Sequence, residues 1–532
     1  MQYSDNWENM VADLTELEAV FPSEQLLDPN IFNKAIEAES LFVTNAGLVG
    51  SGVVTGDDNP GLSNQDSIDL DVGKDLIQYL LLVEGGGSNN RAIANRGNFD
   101  RQVAIKTGIN SDMIRGISMI TGNGDNNVGV DNYETSITTD SERDLVFGLV
   151  MVDGDGNGNR SISNAFSTVD LGTNDDRIKG VTSIAGDGNS NHGITGGFFG
   201  YVLGGGDDNL TALVNIAGNG DLNIGFSGGD GAIVGGAGND TVKVNVSIGG
   251  NGSENDGINL SEAGIRLEDG DDLLHSNVRI QGNGSNNSGI SLAFSAGIGS
   301  DSGSNTVNST VEIGGSGDSN RGLDLGLFGK FIGGTEADRL VSSVKVGAGN
   351  NNIGSYIGDF GSIDLGDGND ELISSTEIIG AGNNNSGIVL LAEQGTSNIN
   401  TGAGNDLIRS SVSVSSGIDN YALDNRQTID LGAGNDSIEA IAPDAFSGYT
   451  GGGTINLGEG DDSIAGFGQQ FVNGGEGFDV AQFGFEDFSI TLGSEPDSLT
   501  IVANEIAMTF SAVEQFNFAN SSYSFAELAA VA

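Results

Sequence analysis

The sequence predicts an all-β fold, a parallel β-solenoid (β-helix or β-roll-like) built from repeating coils, and three observations lead there. An acidic, Gly-rich turn recurs at a near-constant step, and its last residue marks a register through Asp75, Asp112, Asp144, Asp176, Asp208, Asp240, Asp272, Asn305, Asp338, Asp370, Asp406 and Asp436. The period is about 32 residues, the length of one supersecondary unit in a repeat architecture. A neutral turn follows each mark from Asp75 to Asp406 roughly half a coil later and carries Asn every time, at Asn90, Asn127, Asn159, Asn191, Asn223, Asn255, Asn287, Asn320, Asn352, Asn385 and Asn420. Between mark and Asn, every second residue is apolar or small, as in Val242, Val244, Val246 and Ile248, the pattern of a strand with one buried face. A unit this short cannot close a core alone, whereas stacked coils bury a continuous one. A two-sheet sandwich would give no reason for a constant period.

Residues 1–50 stand outside the repeat. Trp7, Met10, Val11, Leu14 and Leu17 share one helical face up to Pro22, and Ile31, Phe32, Ala35 and Ile36 suggest a second short helix after Pro29. The solenoid is expected over residues 51–440. Four residues past each mark the side chains are small (Gly148, Gly180, Ala212, Ser276, Ser309, Ser342), which predicts a narrow interior at that level. In the first coils the outward positions are also apolar: Leu76, Leu80, Leu82, Met113, Ile117, Met119, Leu145, Phe147, Leu149 and Met151. Such a patch needs a cover, and the N-terminal helices are the nearest candidate. Over residues 441–485 the marks close up to Asp462 and Asp479, and residues 486–532, rich in Phe and without Lys or Arg, read as a β-rich cap.

Stacking turns the marks into a column of carboxylates. At the ~4.8 Å separation of neighbouring strands, unit charges repel by roughly 0.9 kcal/mol in water and roughly 3.5 kcal/mol at an effective dielectric of 20. The column therefore needs a cation, or it must splay outward or take up protons. With no Cys and two His in the chain, an all-oxygen site for a hard ion, calcium before magnesium, is the chemistry that suits these turns. The neutral turns need no ion, because stacked Asn amides donate and accept between coils.

The charged turns read GGAGND (235–240), LGDGND (365–370), TGAGND (401–406), LGAGND (431–436), LGEGDD (457–462) and GGEGFD (474–479). They resemble the hemolysin-type calcium-binding repeats of the repeats-in-toxin (RTX) family, G-G-x-G-x-D-x followed by an aliphatic residue. The resemblance implies calcium held by turn carbonyls and by Asp240, Asp370, Asp406, Asp436, Asp462 and Asp479, and with weaker turns by Asp176, Asp208 and Asp272. It departs from the family in having one such turn per long coil rather than one per nonapeptide, and Asn305 and the TEAD turn at Asp338 interrupt it. The last stretch, VEQFNFANSSYSFAEL, is similar in pattern to the terminal segment that addresses exported RTX proteins to a type I secretion channel.

A net charge of −54 disfavours nucleic acid and anionic membrane as partners. MQYSDNWENM has no basic region followed by an apolar run, and no stretch of 18 apolar residues occurs, so export without a cleaved N-terminal signal is expected, with no membrane insertion. His192 and His275 have no visible base, nucleophile or Arg cluster beside them, which disfavours an enzyme. The function expected is a secreted, calcium-binding structural rod at the cell surface: a layer, sheath or filament subunit that self-associates, with surface polysaccharide a further candidate contact. A polysaccharide-modifying β-helix enzyme (lyase or epimerase) and an RTX adhesin are the alternatives.

Overall fold

The computed structural model describes residues 41–44, 47–64, 68–70, 75–97, 104–197, 199–229, 233–495 and 497–532. The alternation in Thr241–Ile248 is realised as a strand with Val242, Val244, Val246 and Ile248 inside and Lys243, Asn245 and Ser247 outside. It pairs in parallel, residue for residue, with Asn209–Ile216 before it and Leu273–Ile280 after it. Past the Asn turn, Asp256–Ser261 joins a second sheet, and Gly264–Asp269 joins a third before the next Asp turn. Each regular coil gives one strand to each of three parallel sheets, and the second sheet alone stacks thirteen. The constant step keeps equivalent residues in register, so every inward position repeats along the rod. This is the β-solenoid that the repeat predicts.

The interior has two apolar columns, one running through Val242, Ile258 and Ile265 and the other, near the Asn corner, through Val246 and Ile248. Between them the first and second sheets approach closely. A Cβ on Gly148 would strike the Ser161 carbonyl, and one on Gly257 would strike Ser276 Oγ. The small residues predicted there thus make a waist, and the serines add bonds across it: Ser374 Oγ donates to Gly387 O at 2.7 Å, and Ser276 and Ser410 make the same bond at 2.5 Å.

Among the outward apolar residues of the first coils, Leu80, Met113, Ile117, Leu145, Phe147 and Leu149 are buried together. The N-terminal helices predicted to cover them lie outside the described residues. On later coils the same face carries ion pairs from coil to coil, such as Lys345 with Glu377 at 2.8 Å and Arg409 with Glu439 at 2.7 Å.

The closing-up of the last marks has a simple cause. Strands of the second sheet shrink to Tyr449–Thr450 and then stop, while Thr454–Glu459 and Phe471–Glu476 continue the third. An antiparallel meander, Ser489–Leu492, Ser498–Ala503 and Ile506–Ser511, then closes the end. Phe483, Phe485, Phe510, Phe516 and Phe518 pack beneath it. The short helix Phe525–Ala529 follows, with a capping box between Ser524 and Glu527.

Candidate functional site

At the Asp corner the turn GGAGND shows why its residues are what they are. Gly236 has φ +110, a backbone state that disfavours side chains. A Cβ on Gly235 would lie 2.5 Å from Asp240 Oδ2 and 2.6 Å from Leu267 O of the next coil. The turn therefore folds its own carboxylate inward. Asp240 is 2 % exposed, and its Oδ1 accepts the Asp208 amide at 2.9 Å while its own N–H donates to Asp272 Oδ1 at 2.7 Å.

The same rung repeats without a break. From Asp176 through Asp208, Asp240, Asp272, Asn305, Asp338, Asp370, Asp406, Asp436 and Asp462 to Asp479, each backbone N–H donates to the next coil's side chain at 2.6–3.0 Å. All nine of the predicted calcium ligands stand in this one column, which also runs back to Asp75 through Asp144 and Asp112. The column does not splay outward, and the departures at Asn305 and Asp338 do not interrupt it. It ends in the cap, where the Asp479 amide donates to Glu514 Oε2 at 2.8 Å.

Only one oxygen is used in each of the nine predicted ligands. The Oδ2 of all nine predicted ligands is buried without a hydrogen-bond partner. Burial raises all nine above the ordinary carboxylate value, and seven of them far above it: Asp240 and Asp479 to about 6, Asp208, Asp272, Asp370 and Asp436 to about 7, and Asp176 to about 9. Amide bonds to Oδ1 pull the other way, and neighbouring rungs such as Asp144 and Asp208 beside Asp176 add to the rise. At the two rungs outside the motif the second side-chain atom is satisfied by the turn backbone: Asn305 Nδ2 donates to the Gly303 carbonyl at 2.9 Å, and Asp338 Oδ2 accepts the Gly334 amide at 2.8 Å. A carboxylate oxygen against a carbonyl is stable only with a proton or a cation between them. Carboxylate and carbonyl oxygens are the donor set of a hard ion. Among the described residues no three acidic or His side chains converge, so backbone carbonyls must supply most of the ligands to any ion held there.

At the opposite corner the Asn ladder is as predicted. Asn223 donates its backbone N–H (2.9 Å) and its Nδ2 (3.0 Å) to Asn255 Oδ1, and Asn255 repeats this on Asn287. The left-handed backbone position in this turn belongs to the preceding residue, Leu222 (φ 59) or Glu254 (φ 56), so the Asn is there for its amide. Two kinds of ladder escaped the sequence reading. Exposed rungs run the other way, as where Asn239 N–H donates back to Asp207 Oδ1 at 2.9 Å and Asn251 N–H to Asn219 Oδ1 at 2.9 Å. A further buried ladder, Asn64–Asn95–Asn132–Asn164, lies at the third corner of the first coils, and the coil-length spacing of these four Asn residues was its signal.

The expectation that no Arg cluster forms between coils is wrong. On the outer face of the second sheet, Arg91 and Arg96 both pair with Asp131, Arg91 Nε at 2.7 Å and Arg96 Nη2 at 2.6 Å, and Arg160 lies close by. His192, the Cα partner of Arg160, faces the same way with Nδ1 3.1 Å from Ser227 Oγ. Burial, with Arg160 adding to it, lowers the His192 pKa to about 4. These residues come from successive coils, so only the solenoid register brings them together. His275 lies on the outer face of the first sheet between Lys243 and Asn308. No protein-family model matches this chain, and comparison with curated proteins and with solved structures gives no match either.

Proposed function

We propose that the chain is an exported structural rod stiffened by calcium, a subunit of a surface layer, sheath or extracellular filament. The observation that carries this reading is the continuous column of buried side chains along the rod, all carboxyls but Asn305, in which each of the nine predicted ligands has one unpaired oxygen. Asp176, Asp208, Asp240, Asp272, Asp370, Asp406, Asp436, Asp462 and Asp479 would hold the ions together with turn carbonyls. Bound calcium would supply the positive charge that lets the column stay ionised. The likeness of the turns to RTX repeats supports the same choice of ion. Association of copies belongs to the reading as well, since a rod with unlike ends can join head to tail.

Circular dichroism and thermal unfolding in calcium, magnesium and chelator test the proposal at neutral pH. Calcium should raise the unfolding midpoint and magnesium should substitute poorly. Equal stability in calcium and in chelator would refute it.

A further inference from the structure

The outer face of the second sheet differs from the other two. In its two outward rows, from Arg91 to Tyr421 and from Ala94 to Asp424, no residue is exposed, whereas Lys243, Arg279 and Lys345 on the first sheet and Arg266 and Lys330 on the third are. The rows run parallel, with partners on successive strands roughly 4.8 Å apart. One of them, read coil by coil from its second member, is Asp131, Ser163, Thr195, Ser227, Asn259, Ser291, Asp324 and Tyr356. Its middle is five consecutive uncharged side chains that both donate and accept hydrogen bonds.

Both ends of that row are built alike. At one, Arg96 lies over the Tyr133 ring (5.4 Å) and pairs with Asp131; at the other, Arg321 lies over the Tyr356 ring (3.9 Å) and pairs with Asp324 at 2.7 Å. The ends differ in charge. Arg321 and Asp324 balance, and Asp324 Oδ1 is buried without a partner. Arg91, Arg96 and Arg160 against Asp131 and Glu134, the latter bonded to Tyr133, leave an excess of one positive charge, and Arg160 makes no ion pair among the described residues. Such an excess is notable in a chain of net charge −54 with 20 basic residues.

We propose that this face binds an extended glycan that bears a carboxylate, its hydroxyls on the Ser/Thr/Asn row and its acidic sugar against Arg91, Arg96 and Arg160. A bidentate guanidinium suits a carboxylate, and a recessed row of hydroxyl and amide groups suits a polyhydroxylated chain. A densely charged polyanion does not fit, because beyond the Arg end the face meets Asp256, Asp324 and then the acidic body of the rod. His192 adds no charge at neutral pH, so the cations here are the arginines. The inference does not depend on whether the Asp column holds calcium.

Calorimetry on the full chain, in calcium, tests it with two probes: a xylo-oligosaccharide carrying one glucuronate, and the same oligosaccharide without it. The acidic probe should bind at least about tenfold more tightly, equivalent to about 1.4 kcal/mol. Arg160→Ala should remove that preference, Arg160→Lys should keep part of it, and Ser227→Leu should weaken both probes. Arg339→Ala, on the outer face of the first sheet, should change nothing. Binding of neither probe, equal binding of both, or an acidic preference that survives Arg160→Ala or falls equally with Arg339→Ala would each overturn the proposal. Thermal midpoints of the variants near that of the parent show that the fold is intact, and Arg160→Lys separates a lost charge from a lost contact.

Discussion

Replacing Asn255 by Ala tests the neutral ladder at one rung. Asn255 Oδ1 accepts two hydrogen bonds from Asn223, and its Nδ2 donates one to Asn287 Oδ1 at 3.1 Å, all with the side chain fully buried. Alanine leaves the Asn223 amide with no acceptor. The Asn223 Nδ2 keeps only its bond to Gly188 O, and Asn287 Oδ1 loses one of its two donors. An orphaned buried donor costs about 1–3 kcal/mol and a lost partial bond about 1 kcal/mol, so a total of about 2–4 kcal/mol is expected. Asn255→Asp keeps both acceptor bonds but sets an oxygen against Asn287 Oδ1, so its penalty should grow as pH rises and should not be relieved by calcium in the way proposed for an Asp-column site. Because each coil contacts only its neighbours, the damage should stay local. Hydrogen exchange should show the Asn223 amide exchanging roughly 30- to 1,000-fold faster, while amides several coils away keep their protection. A change in denaturation free energy below about 0.5 kcal/mol, with exchange at Asn223 unaltered, would show that the ladder amide contributes only turn geometry.

The Asp column should make stability depend on pH in chelator. Its carboxyls titrate higher in the fold than their ordinary value of 3.8, most at about 6 to 9, so the protonated fold is favoured at low pH. That stability is fully present below pH about 4 and is lost as pH rises through about 6 to 9; thermal midpoints in chelator should fall across this window, and calcium should flatten the fall. Asp240→Asn should raise the midpoint in chelator at pH 8, because Asn305 already makes the same rung, whereas Asp240→Ala should lower it by orphaning the Asp208 amide. A midpoint lower for Asn than for Asp in chelator would count against the ionised column. Truncation after Ala519 keeps Glu514 and the meander but removes the second half of the segment likened to a secretion signal, from Asn520 onward, so export should fall; undiminished export would count against that assignment.

The sheets were legible because a fixed period and a strict alternation repeat in every copy, and one copy's pattern corrects another's noise. Both principal ladders were legible for the same reason. The direction of the Asp side chains was not, since an acidic Gly-rich turn reads as a solvated corner until a residue such as Gly235 is seen to leave room for Asp240 Oδ2. The Arg91, Arg96, Asp131 and Arg160 cluster was hidden for a different reason. Its members sit in register rows where most coils carry other residues, with only Arg321 and Asp324 repeating the pairing, so a strict period, the signal that found everything else, does not single them out.

The buried rungs all point one way: an amide in one coil is satisfied by a side chain that arrives only with the next. A growing solenoid therefore always presents a hungry leading edge of dry, unmatched N–H groups toward its C-terminal side, and each new turn both quenches that edge and recreates it. Glu514 breaks the recursion, because it supplies the acceptor without demanding a successor. Assembly of such a rod is a ratchet with a stop codon of its own written in side chains. The number of coils is thus set by where the terminating carboxylate stands, and moving it would change the length of the rod without changing how any coil folds.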